Sequence, residues 1–232
     1  MNRFSKIVLG SAGAALLGVT FLQLPARGAE ARMVPPPARD LPAASGPQIA
    51  VLSGGCFWGV QGVFEHVRGV QRVLAGYSGG KADTANYETV SGGDTGHAES
   101  VQITFDPKLI SYGKVLQIFF SVALDPTMKD AQGPDSGTQY RSEIFVANAD
   151  QATIALAYIA QLGAAHVYSS PIATRVDPLQ AFYPAEAYHQ DFLETHPSYP
   201  YIVINDMPKV DALKKLFPGD YTSEAHRSTS GS

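Results

Sequence analysis

Cys56 and Trp58 are the single cysteine and single tryptophan of a 232-residue chain, and both lie in Gly54-Gly55-Cys56-Phe57-Trp58-Gly59. Downstream, Val60, Val63, Phe64 and Val67 recur at i, i+3, i+4 and i+7, the spacing that sets four apolar side chains on one helix face. Cys56 is therefore expected at the N-terminus of that helix, just after a strand from Gln48 to Ser53. There, unpaired backbone N–H groups and the positive end of the helix dipole favour an anion, so the spacing predicts a lowered thiol pKa and thiolate near neutral pH. Gly54 and Gly55 allow a tight turn that leaves the sulfur approachable. The second reactive candidate is Glu99, in a stretch from His97 to Phe105 that alternates in polarity. It has the parity of Val101, Ile103 and Phe105, which aligns a carboxyl group with a buried strand face. Burial would raise its pKa and keep it a proton donor near neutral pH. A thiolate facing a neutral acid is equipped to attack one atom while protonating its neighbour. The bland alternatives are a cysteine that is merely a small buried hydrophobe and a Glu99 paired with Arg141.

On the residues Gly55-Cys56-Phe57-Trp58-Gly59 the chain resembles the A-class peptide methionine sulfoxide reductases. Gly96-His97-Ala98-Glu99, Gly137-Thr138-Gln139-Tyr140-Arg141-Ser142, Tyr183-Pro184-Ala185-Glu186 and Tyr188-His189-Gln190 reinforce the likeness, which runs from about Ile49 to about Phe217. The resemblance implies an α+β sandwich. It also implies thiol-dependent reduction of free or protein-bound methionine S-sulfoxide, a repair of oxidative damage. Cys56 would then be the nucleophile and Glu99 the acid. Tyr87 and Tyr140 would donate hydroxyls to the sulfoxide oxygen, and Asp135 would recognise the substrate backbone. Phe57 and Trp58 would form the apolar wall that accepts the methyl group. Glu186 and His189 match the family's C-terminal motif without a chemical step attached to them. After oxygen transfer Cys56 would be a sulfenic acid. Many family members resolve it with a C-terminal cysteine that this chain lacks. An external thiol is therefore expected, thioredoxin-like or glutaredoxin-like, or dithiothreitol in vitro, with no bound cofactor.

The elements that must position these groups follow from the pattern. After the first helix, Val70 to Tyr77 reads as a strand, Lys81 to Gly96 as a loop holding Tyr87, and His97 to Phe105 as a strand. Ser111 is a plausible N-cap for a helix with the stripe Val115, Ile118, Phe119 and Val122. An irregular stretch from Asp125 to Thr138 then leads into a strand from Tyr140 to Ala147. Strand, helix, strand, strand, helix, strand is the order of a ferredoxin-like (βαββαβ) two-layer sandwich. A helix from Asp150 to Leu162 stopped by Gly163, a strand from Ile172 to Val176, a helix from Pro184 to Thr195 and a last one from Val210 to Phe217 complete an α+β fold with extra C-terminal helices and long loops.

The ends read differently from the middle. Arg3 and Lys6 precede an apolar run from Ile7 to Leu24, and Ala29-Glu30-Ala31 supplies small residues for cleavage. Residues 1–31 are thus expected to be a signal peptide directing export to the periplasm, the alternative being an uncleaved membrane anchor. Residues 32–47, with Pro35, Pro36 and Pro37 in a row, read as an extended linker without a core of its own. Residues 48–218 form the catalytic domain, and 219–232 a disordered polar tail. Loss of residues 1–31 would remove Arg3, Lys6, Arg27 and Glu30 and leave a formal charge of −6. That charge, without a basic cluster, argues against nucleic acid, and no membrane contact is expected after cleavage. Oxidised proteins or free methionine sulfoxide are the expected partners.

Two other functions fit the residues. A cysteine hydrolase or transferase would use His97 or His189 as the base for attack by Cys56 on an acyl carbon. A thiol sensor would need no catalysis at all. A metal centre is not expected, because the six histidines show no HExxH spacing and one cysteine cannot build a zinc knuckle.

Overall fold

The computed structural model describes residues 31–228. β1 (Gln48–Gly54) leads into α1 (Phe57–Glu65), followed by β2 (Val70–Ser78), a single turn α2 (Tyr87–Val90), β3 (Ala98–Phe105) and α3 (Tyr112–Ile118). A small hairpin of β4 (Ala131–Gln132) and β5 (Asp135–Ser136) precedes β6 (Ser142–Val146), α4 (Ala149–Ala164), β7 (Arg175–Pro178) and β8 (Phe182–Pro184). A single turn α5 (Phe192–Thr195) and α6 (Met207–Leu216) close the order. The class is α+β. Six strands form one sheet in the order β7-β6-β1-β3-β2-β8, in which β6, β1, β3, β2 and β8 pair antiparallel and β7 runs parallel to β6.

α1 forms where the spacing places it, because its apolar stripe has a sheet to pack on. Val60, Val63, Phe64 and Val67 are each at most 1% exposed, in one core with Leu52, Val101 and Ile103. Covering four such side chains contributes about 6–12 kcal/mol of transfer free energy, the largest local reason for this helix to dock. α3 starts at Ser111, whose hydroxyl accepts the Lys114 N–H at 3.1 Å.

Several expectations change in detail. The strand read from Tyr140 starts only at Ser142, because Thr138–Tyr140 closes as a 3₁₀ turn with the Tyr140 N–H on the Gly137 carbonyl. Gly163 does not stop α4. The helix runs on to Ala164 and ends on His166 in the left-handed region, with the Val167 N–H returning to Leu162 and that of His166 to Gly163. The helix expected from Pro184 is a strand end. Pro184 pairs with Gly76, Asp191 has φ 53°, and helix survives only as a 3₁₀ turn at Ala187–His189 and the short α5. The strand expected at Ile172 begins at Arg175.

As far as the described residues reach, to residue 228, both flanking segments are anchored, unlike the linker and tail readings. Val34 is fully buried, Tyr158 donates its hydroxyl to the Pro35 carbonyl at 2.6 Å, and Asp40 accepts from Ser111 and from the Gly113 N–H at the start of α3. The composition had hidden these anchors because each is a single residue meeting a distant partner. At the other end the Thr222 N–H reaches the His66 carbonyl, the His226 N–H that of Glu65, and Ser228 donates twice to Asp191. Residues 1–30 of the expected leader lie outside the described residues. Among the described residues no helix is long and apolar enough to cross a membrane.

Beneath the anchored tail, Glu65 is fully buried and neither carboxyl oxygen has a hydrogen-bond partner among the described residues. Burial, then the neighbouring Asp191, pushes its pKa up to about 10 from an ordinary 4.5. The folded chain therefore keeps a proton that the unfolded chain releases. This contribution is complete below the unfolded value and is lost as pH rises toward the folded one. Glu65→Gln keeps the shape without the titration, and it is expected to raise the urea midpoint at pH 8 with no advantage at pH 4, as denaturation curves at the two pH values will measure.

Candidate active site

The glycine turn before α1 is forced by its surroundings. Gly55 has φ 90°, and a Cβ there would meet the Gln132 side chain at 2.5 Å. Gln132 in turn accepts the Asp125 N–H and donates to the Asp125 carbonyl, which holds the loop carrying β4 and β5 against the turn. Cys56 follows as the residue capping α1, partly exposed, with Phe57 and Trp58 in the first turn.

Glu99 reaches this turn from β3. It is 3% exposed, and its Oε2 accepts the Phe57 N–H at 3.0 Å, so the carboxyl abuts the helix N-terminus immediately after the cysteine. Burial raises its pKa to about 8 against the opposing pull of the Phe57 N–H, with Asp135 and Asp206 adding to the rise. Near neutral pH it is a neutral acid, as its strand parity predicts. The pairing of Glu99 with Arg141 does not occur. Arg141 is buried and donates to Glu143 and to the carbonyls of Gly96, His97 and Thr138, which ties the segment around Thr138 to the start of β3.

The expectation for Cys56 is corrected. Its pKa is raised well above the ordinary 9.0, first by burial of the sulfur, then by Glu99 and Asp206. The Trp58 N–H of the helix end and Lys209 pull it down, but not enough. A helix N-terminus stabilises thiolate in water. Here the sulfur, withdrawn from most of its solvent beside two carboxyl groups, loses more solvation than the helix end restores, so the resting sulfur is a thiol.

Aromatic side chains frame the pair. Trp58 lies parallel to Phe192 at 3.9 Å, meets Tyr199 and Tyr201 edge-on at 6.2 and 6.0 Å, and donates its indole N–H to His189 Nδ1 at 3.2 Å. Phe57, read as part of the substrate wall, is 1% exposed and packs inward on Tyr77 and His189, so Trp58 is the accessible face. Tyr87 opens α2, held by its backbone N–H on Glu186 Oε1, while Glu186 Oε2 accepts the Tyr77 hydroxyl, both at 2.9 Å. The Tyr87 and Tyr140 hydroxyls are both raised by burial and then by Glu99, with Cys56 also contributing, which sets the two rings about the same acid and sulfur. Asp135, on β5, accepts the hydroxyl of Tyr201.

The structure thus gathers Cys56, Trp58, Tyr87, Glu99, Asp135 and Tyr140 around one place, and adds side chains that sequence reasoning did not select. Tyr201 holds Asp135. Asp206, fully buried, pairs with Lys209 at 3.1 Å and packs so closely on Gly59 that a Cβ there would meet its Oδ1 at 2.1 Å. The signals available were slight: a second tyrosine in Tyr199-Pro200-Tyr201, and an acid three residues before a lysine. Glu186, left without a step, is a support for Tyr87. Neither candidate base of the hydrolase reading is hydrogen-bonded to the sulfur among the described residues. His97 accepts the Gly80 N–H and bonds the Lys81 carbonyl, and His189 Nδ1 is committed to Trp58. Among the described residues no three His, Cys, Asp or Glu side chains cluster as a metal ion would require.

Residues 48–220 match the family model of peptide methionine sulfoxide reductase. The peptide methionine sulfoxide reductase MsrA 2 of Mesorhizobium japonicum is 57% identical over 185 residues, covering 80% of this chain and 95% of the relative. That of Synechocystis is 48% identical over 190 residues, covering 80% and 89%. Among solved structures, the methionine sulfoxide reductase A of Corynebacterium diphtheriae superposes with a TM-score of 0.58 at 29% identity, covering 75% of this chain and 90% of that one.

The raised thiol has a direct consequence. Cys56 is expected to be alkylated by iodoacetamide at pH 7 more slowly than an unperturbed thiol, with a midpoint above 9 in the rate against pH. Glu99→Gln, which cannot form a carboxylate opposite the sulfur, is expected to shift that midpoint downward. A native midpoint below 8 in the alkylation profile contradicts this electrostatic account.

Proposed function

The chain belongs to the peptide methionine sulfoxide reductase family, and from that premise we propose how its own residues carry the reaction. It is an oxidoreductase, a peptide-methionine (S)-S-oxide reductase, and it returns methionine sulfoxide to methionine at the expense of thiols. The observation that carries the residue assignments is the Glu99 carboxyl bonded to the Phe57 N–H, a neutral acid set beside the lone thiol.

In this reading the sulfoxide sulfur approaches Cys56 with its methyl group on Trp58 and its oxygen toward Glu99, Tyr87 and Tyr140. The Cys56 sulfur bonds to the substrate sulfur while the oxygen takes the proton of Glu99, and the thiol proton makes good that loss. The oxygen then passes to Cys56: the substrate S–O bond and the transient S–S bond break, a Cys56 S–O bond forms, and methionine departs with the two electrons that Cys56 loses, leaving a sulfenic acid. The raised thiol suits this order. Its proton is retained until substrate brings an acceptor, and a neutral thiol in an idle enzyme resists oxidation. Glu186 and Tyr201 serve by holding Tyr87 and Asp135. Asp135 is assigned to the backbone of a peptide substrate.

Regeneration is the part particular to this chain. With one cysteine no internal disulfide can form, so an external thiol attacks the sulfenic acid, releases water and leaves a mixed disulfide that a second thiol opens. A thioredoxin-like or glutaredoxin-like donor is the class this requires. The apolar run and small residues of 1–31 support an exported, periplasmic setting. The antiparallel run β6-β1-β3-β2, with α1 and α3 as its crossovers, supports the ferredoxin-like description of the core.

Glu99→Gln is expected to lower kcat for methionine S-sulfoxide about 10²-fold with dithiothreitol as reductant, and Cys56→Ser to abolish turnover. Without reductant, one equivalent of methionine is expected per enzyme, leaving Cys56 trappable by dimedone. Mass spectrometry that finds only free thiol after stoichiometric methionine release would overturn the sulfenic acid step.

A further inference from the structure

The segment that supplies His189, Tyr201 and Asp206 to the site also exposes large apolar side chains. Tyr188 is 62% exposed, Tyr199 47%, Val203 51% and Ile204 70%, half of the exposed large apolar residues among those described. Single exposed hydrophobes need no explanation, but several on one rim do. Tyr199 and Val203 are joined by a backbone hydrogen bond from the Val203 N–H to the Tyr199 carbonyl, so they rise on one helical face. The turn that follows, Ile202–Asp206, is a π-helix, a wide turn common at functional sites. It turns Ile202 and Asp206 fully inward and leaves Val203 and Ile204 outward. Beyond it, past Pro208, the outward positions Asp211, Lys214 and Lys215 are charged, so the large apolar side chains are confined to the end nearest the site.

This surface adjoins the substrate wall through Tyr199. Tyr199 meets Trp58 edge-on, and on the other side Tyr188 lies 4.3 Å from the ring of His189, whose Nδ1 holds the Trp58 indole. We propose that Tyr188 on one flank and Tyr199, Val203 and Ile204 on the other form a docking rim for the residues flanking an oxidised methionine, and that it selects polypeptide segments whose flanks are apolar. The inference rests on the proposed reaction at Cys56 and goes further by naming the substrate class. Methionine fills apolar cores and apolar contact surfaces, and its sulfoxide, being polar, loosens that packing. The sequence neighbours presented with the sulfoxide are then themselves apolar, which is what an exposed aromatic and aliphatic rim beside the wall can bury. A free amino acid has no flanks and would not feel it.

The test uses the full chain, dithiothreitol as reductant, free methionine S-sulfoxide, and two short peptides whose S-sulfoxide is flanked by leucines or by serines. The leucine peptide is expected to have a kcat/KM about tenfold above the serine peptide, the scale set by burying one or two aliphatic side chains. The double variant V203S/I204S, altered only at exposed positions, is expected to erase that preference while leaving the serine peptide and free methionine sulfoxide unchanged. Equal kcat/KM for the two peptides in the native chain overturns the proposal, as does a variant that loses activity equally on all three substrates. A variant that is impaired only with a thioredoxin-like protein as reductant also overturns it, by assigning the rim to the reductant. No turnover of any sulfoxide would instead defeat the reading of Cys56.

Discussion

A hydrogen bond from the Phe57 N–H to Glu99 joins the two halves of the chemistry. It spans 42 residues of sequence, fixes the start of β3 against the first turn of α1, and sets an acid beside the sulfur that precedes that turn. Everything else at the site supports this contact or exploits it. Gly55 allows the turn, Gln132 holds the loop from Asp125 against it, and Arg141 pins the start of β3 through the carbonyls of Gly96 and His97. If β3 slipped by one residue, Glu99 would move to the opposite face and the acid would be lost.

The electrostatics of the site follow from dryness. The same burial that keeps Glu99 protonated also keeps Cys56 a thiol, so the resting pair holds both protons and carries no net charge. An arrangement with thiolate at rest would need a nearby cation to outweigh lost hydration. Lys209 is present, but it is shared with the buried carboxylate of Asp206. Under the proposed reaction, the sulfur keeps its proton until substrate arrives and its idle form resists oxidation. That property suits a chain in which no second cysteine could rescue a sulfenic acid formed by accident.

Much of this was legible from residue order. Apolar periodicity placed α1 and the strands around it because four valine and phenylalanine positions leave few ways to be buried. The parity of Glu99 foretold both its facing and its protonation. Less was legible where distant residues meet. Pro184 looked like a helix start, yet its backbone pairs with Gly76 across the sheet, and no local pattern encodes that partner. The proline-rich stretch after residue 31 looked like a free linker, and only the fully buried Val34 and the Tyr158 hydroxyl reveal its seat. Tyr201 and Asp206 were invisible as site residues because a segment far downstream, between α5 and α6, delivers them to Cys56.

The amino-acid order by itself determined the class of fold and the family, and it singled out the residues to which the nucleophile, the acid and the outside reductant are assigned in the proposed reaction. These depend on residue identity, on local period, and on the count of one cysteine. Tertiary structure alone decided the protonation state of the sulfur. A helix end favours thiolate through short-range dipoles that sequence can reveal, whereas desolvation and the fields of Glu99 and Asp206 exist only once three separate segments have enclosed the site.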